Sequence, residues 1–157
     1  MVMRARPVGT RPRTRLHHLV EECARNTPEA KALSVGQANV TYGALWTEIE
    51  RAAAGLTALG VRRGERVGVY LNKRIETVAA VFATSLVGGV FVPINPVLKP
   101  PQVQHILEDS GAAALVTSRE RLVSLAPVLG GCPWLRDVVA VGEGPLEIAA
   151  PPRAILW

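Results

Sequence analysis

Apolar positions recur first at helical spacing and then in short runs separated by helical stretches, the rhythm of alternating helices and strands. Thr14 can cap a first helix that ends before Pro28, with Leu16, Leu19, Val20, Cys23 and Ala24 on one stripe. Residues 32–35 and 39–41 flank Gly36-Gln37-Ala38 and read as a short hairpin. Thr41 is placed to cap a long helix to about Leu59, striped by Leu45, Ile49, Ala52, Ala53, Leu56 and Leu59, with Gly60 ending it. Residues 66–71 (RVGVYL) form a β-branched run and therefore a strand. Residues 75–86 are helical, with Ile75, Val78, Ala79, Phe82 and Leu86 on one face, and Gly88-Gly89 stops them.

Strands are predicted again over 90–93, 113–117 and 137–141. A helix opened by Pro100-Pro101, carrying Val103, Ile106 and Leu107, precedes the second of these and ends at Gly111. A helix capped by Ser118 and running to about Leu125 precedes the third. Residues 142–157 read as a loop leading to a further strand at 154–157. Four nearly all-apolar strands alternating with helices imply right-handed crossovers and a parallel sheet covered on both faces. The predicted class is α/β, a partial parallel sheet with helices on both faces.

Composition changes this picture little. The chain of 157 residues is 48% hydrophobic and 20% charged, which excludes an intrinsically disordered protein. Aromatic residues are only 4%, so the core must be built from Ala, Val, Leu and Ile. The longest apolar stretch, 78–91, is interrupted by Thr84, Ser85, Gly88 and Gly89, so no transmembrane segment is expected.

Charge changes it more. The net charge of +5 resides in Arg4, Arg6, Arg11, Arg13 and Arg15, and the remaining chain balances at 13 basic and 13 acidic residues. Residues 1–15 are expected to be a disordered Arg-rich leader. A basic arm that binds nucleic acid or anionic lipid without specificity, or a transit-like segment, stays open beside that reading. Cys23 and Cys132 have no metal-ligand spacing and suggest free thiols in a reducing cytoplasm.

Candidate chemistry is sparse. No G-x-G-x-x-G follows a strand and there is no Walker A loop. His17 and His18 are adjacent on a helix, so they point about 100° apart and are not expected to share a metal. His105 is isolated, with Glu108 three residues on as a helix-surface partner. Lys73 and Arg74 follow a strand's carboxyl end, where open α/β sheets bind ligands, and Lys99 follows the next strand on the same edge. These three cations are the candidate anion-facing residues, set against the plainer reading of solvated loop charges. No catalytic or metal-binding residue is assigned.

Five segments then come in the order found in the adenylate-forming ligases, the superfamily of acyl-CoA synthetases, luciferases and peptide-synthetase adenylation domains. Residues 40–45 (VTYGAL) resemble its T-Y-x-x-L helix start. Residues 60–67 (GVRRGERV) resemble its G-V-x-x-G-D-R-V turn, with Glu65 in place of Asp. Residues 70–76 (YLNKRIE) occupy the place of N-S-x-E, although Lys73-Arg74 is not the usual Ser-Pro. Residues 88–96 (GGVFVPINP) are similar to A-G-A-x-x-V-P-L-N-P, and residues 105–112 (HILEDSGA) to Y-I-L-x-D-S-x-A. Residues 97–103 and 116–119 are most similar to the exosortase- and exopolysaccharide-associated acyl-CoA ligases.

The resemblance implies that residues 16–157 are an incomplete N-terminal subdomain of an AMP-forming acyl-CoA synthetase. The family reaction joins a small carboxylic acid to coenzyme A through an acyl-adenylate, using ATP and Mg. The family's phosphate loop, ribose-binding Asp and catalytic Lys lie downstream of the matched segments. This chain alone is therefore expected to be inactive and to hold no cofactor. Its implied partner is the remainder of the ligase. The alternative is a non-catalytic binding module, or one half of a split enzyme, on the ligase scaffold.

Overall fold

The computed structural model describes residues 15–143 and 152–157. Thr14, the leader to residue 14 and segment 144–151 lie outside them. The elements are α1 (His18–Asn26), β1 (Lys31–Val35), β2 (Ala38–Thr41), α2 (Tyr42–Ala58), β3 (Arg66–Tyr70) and α3 (Ile75–Leu86). They continue with β4 (Val90–Pro93), α4 (Pro100–Ser110), β5 (Ala112–Ser118), α5 (Arg119–Leu129), β6 (Asp137–Val141) and β7 (Arg153–Leu156). β1 and β2 form an antiparallel hairpin. The other five strands make one parallel sheet in the order β4-β3-β5-β6-β7.

The expected caps position α2. Thr41 Oγ1 accepts from the Ala44 N–H at 3.2 Å. At the other end Gly60 takes φ +76°, its N–H reaches Thr57 O, and the Val61 N–H reaches Leu56 O. That pair of bonds is a Schellman closure, and buried Val61 and Leu56 supply the apolar contact that accompanies it.

Two cores flank the sheet. On one face α2 and α3 cover Val67, Val69, Ala114, Val116, Val139 and Val141. On the other α4 and α5 cover Tyr70, Leu115, Val138 and Ala140 with Val103, Leu107, Leu122 and Leu125. Strand parity explains the split, because successive side chains of one strand enter opposite cores. Every residue of β5 and β6 is buried, as doubly covered strands require. The helix faces change where the strand order reverses. α3 connects β3 to β4 on one face, whereas α4 and α5 lead to β5 and β6 on the other. One crossover handedness demands this switch.

Several expectations are corrected. α1 starts at His18 with no side-chain cap, and Leu19, expected on its apolar stripe, is 44% exposed. The fully buried line of α3 is Ala79, Ala80, Ala83 and Thr84, with Ile75, Val78, Phe82 and Leu86 only half-buried. The three alanines share a core with Ala52 and Ala53 of α2, which lets the two backbones approach closely. α5 continues past Leu125 through Pro127, because Leu129 prolongs the stripe of Leu122 and Leu125 into the core. The last strand is Arg153–Leu156 and lies at an edge of the sheet. Its register is held by Arg153 Nε donating to the buried Asp137 Oδ1 at 2.8 Å. No helix among the described residues is long and apolar enough to cross a membrane.

Candidate functional site

In an open parallel sheet the crevice for a ligand forms at the carboxyl ends of the strands where the order reverses. Here that point lies between β3 and β5, whose following helices depart to opposite faces. The crevice is occupied by the chain's own polar groups. Arg121, in the first turn of α5, donates Nη1 to Pro96 O and Nη2 to Asn72 Oδ1, both at 2.8 Å. Its guanidinium lies 4.4 Å from the Tyr70 ring centroid, a cation–π arrangement. The Tyr70 hydroxyl donates to Leu98 O at 2.7 Å, and Thr117 Oγ1 donates to Tyr70 O at 3.0 Å. Arg121 thus clamps the loops after β3 and β4 to the start of α5. Ser118 holds that start by accepting from the Arg121 N–H.

The three predicted cations are not brought together. Arg74 closes on Glu76 with two hydrogen bonds of 2.7 and 2.8 Å. That pairing raises the Arg74 pKa and holds the Glu76 carboxyl below its ordinary range. Arg74 and exposed Lys73 line a shallow groove with Leu33–Gly36 of the hairpin and Thr77 and Val78 of α3. Lys99 instead begins α4 on the opposite face of the sheet, its backbone N–H capped by Gln102 Oε1 at 2.9 Å. His105 is exposed, and Glu108 accepts from Gln104 at 2.7 Å in place of the expected His105 pairing. Arg121 was the missed residue. Its partners lie 25 and 49 residues away, so no local spacing announces it.

At the opposite, amino end of the sheet, Arg136 donates both Nη atoms to Glu65 at 2.9 Å, and the Arg62 N–H adds a third bond at 2.8 Å. The Arg136 hydrogen bonds, then that of Arg62, pull Glu65 down to about 2. A carboxylate lowered by folding contributes stability above its unfolded value near 4.5, and this is lost as pH falls towards 2. Solvent at this rim limits the pair to about 1 kcal/mol or less. Thermal melts between pH 5 and 2 should therefore fall slightly less steeply for Glu65→Gln than for the parent; identical slopes would show that the pair adds nothing.

None of these groups is an activated nucleophile. Burial pushes the Cys132 thiol up, which keeps it protonated in the core. An apolar groove of about 90 Å³ lies between α2 and the last strands, lined by Ala52, Gly55, Leu56, Val139, Ile155 and Trp157 among others.

Sheet order, covered faces and a self-filled crevice define a doubly wound scaffold layer. The sequence profile of the family described as "AMP-binding enzyme" matches residues 20–151, and the chain belongs to that family. It is 36% identical over 115 residues to phosphinothricin tripeptide synthetase PhsC of Streptomyces viridochromogenes, covering 72% of this chain and 11% of that protein. It is 37% identical over 108 residues to the feruloyl-CoA synthase of Amycolatopsis sp., covering 69% of this chain and 22% of that one. The crystal structure of the anthranilate CoA ligase AuaEII in complex with anthranoyl-AMP superposes with a TM-score of 0.80 at 31% identity, over 85% of this chain and 26% of the ligase. The chain thus spans less than a quarter of the length of these two curated relatives.

Proposed function

We propose that this chain supplies the first scaffold layer of an AMP-forming acid–thiol ligase and does not adenylate a carboxylic acid by itself. The observation that carries the reading is the crevice at the β3/β5 switch point. In a fold similar to that of a CoA ligase crystallised with anthranoyl-AMP, the Arg121 guanidinium is spent on Pro96 O, Asn72 Oδ1 and the Tyr70 ring, and the Tyr70 hydroxyl on Leu98 O. Attack of a carboxylate on the α-phosphate of Mg-ATP needs preorganised groups around the phosphates. In this reading, polypeptide beyond this layer provides them, together with the acyl pocket and the coenzyme A site. The free Cys23 and Cys132 accord with a cytoplasmic setting. Residues 97–103 and 116–119 favour an acyl-CoA ligase of the exosortase- and exopolysaccharide-associated kind.

The test is pyrophosphate release from Mg-ATP by the purified 157-residue chain, across a panel of aryl, fatty and amino acids. No release above the enzyme-free rate is expected, and acid-dependent release would overturn the reading. A second reading, one half of a split ligase, is favoured by the apolar groove beside the edge strand β7. In that case the remainder of a ligase, produced as a separate polypeptide, would bind this chain and acquire acyl-CoA synthesis.

A further inference from the structure

The two histidines at the start of α1 were expected to diverge, yet the structure brings their rings together. The centroids of His17 and His18 lie 4.5 Å apart in an edge-to-face arrangement. Glu21, one turn on, completes a group in which one ligating atom from each residue lies within 4.8 Å of the others.

Two details separate this group from a chance cluster. His18 Nδ1 is buried and has no hydrogen-bond partner among the described residues. Such an orphan is costly to bury and calls for an occupant. His17 is 4% exposed, and its Nδ1 lies 3.1 Å from Ser85 Oγ of α3, which also accepts from the His17 backbone N–H at 3.4 Å. When Nδ1–H donates to Ser85, Nε2 is left unprotonated and available to a metal. This is the outer-shell arrangement that orients metal-bound histidines.

We infer that His17, His18 and Glu21 form a binding site for a divalent transition metal of the zinc type, with two imidazole nitrogens, one carboxylate oxygen and water in the fourth position. Bond lengths near 2.0–2.1 Å place tetrahedral ligands roughly 3.3 Å apart, so the side chains close in by about an ångström or more from their present spread. Glu21 would give up its Arg25 partner, now at 2.6 Å, a surface pair whose loss costs little because Arg25 is 59% exposed. The bound ion would pin the start of α1 to α3 through His17 and Ser85.

The experiment is titration of metal-stripped 157-residue chain with Zn²⁺ by calorimetry and with Co²⁺ by visible absorption. One-to-one binding is expected, with cobalt bands of a tetrahedral site and no thiolate charge-transfer band. Glu21→Gln and His18→Ala should each weaken binding at least 10-fold, and Ser85→Ala by roughly 10-fold. Cys23→Ser should leave binding unchanged. Glu21 is partly exposed, so its variant keeps the fold (circular dichroism checks this) and carries the test if His18→Ala unfolds. Absence of binding, binding unaffected by Glu21→Gln, or binding lost with Cys23→Ser would each overturn the site.

Discussion

Gly68→Val is expected to destabilise the protein by about 3 kcal/mol, the upper end of the usual cost of over-packing. Gly68 sits in the middle of β3, and its φ is not in the left-handed region, so conformational freedom is not what it provides. It provides space. A Cβ there would lie 2.9 Å from Leu107 Cδ2 and 3.1 Å from Leu115 Cδ1. Both leucines are at most 1% exposed and have nowhere to move. The glycine thus sets how closely α4 approaches the sheet. Urea unfolding should show the loss as a lower midpoint at unchanged slope. Leu107→Ala removes one colliding methyl, so the double variant should be less destabilised than the sum of the two singles. Additive losses, or an unshifted midpoint for Gly68→Val, would show that the contact is slack.

Leu115→Ala is expected to cost about 3–4 kcal/mol, the range for deleting a buried leucine from a core that cannot collapse. Leu115 is fully buried in β5, the middle strand, and shares its core with Leu107, Leu122 and Leu125. Strands on both sides and helices above hold the cavity open. Leu156→Ala provides the contrast, because that side chain is 46% exposed on the edge strand and its loss should stay within about 0.5 kcal/mol. Equal effects at the two positions would contradict the layered arrangement.

Much of this fold was legible because its signals are local. Thr41 at the start of α2, Gly60 past its end and the prolines opening α4 act within one turn of themselves. The short Val-rich runs at 67–70 and 137–141, bounded by turn residues, read as buried strands and are buried. Depth along a helix was less legible. Periodicity located α3, but only the closeness of α2 decides that Ala79, Ala80 and Ala83 lie deeper than Phe82. The candidate site was least legible. Lys73 and Arg74 stand out in sequence because they are charged and follow a strand, yet Arg74 is neutralised by Glu76 two residues away. Arg121 looks like an ordinary helix-surface residue until the sheet brings Asn72 and Pro96 beside it. The pairing of His17 with Ser85 spans 68 residues and leaves no mark on local spacing.

On the proposed reading, this segment contributes scaffold to a ligase and leaves acid recognition to other segments. The most direct measurement is feruloyl-CoA formation by a chimera in which the 108-residue match replaces its counterpart in the Amycolatopsis feruloyl-CoA synthase. The prediction is a folded chimera that still forms feruloyl-CoA and keeps the parent's preference among aryl acids. A folded chimera that is inactive, or that has switched to another acid, would contradict it.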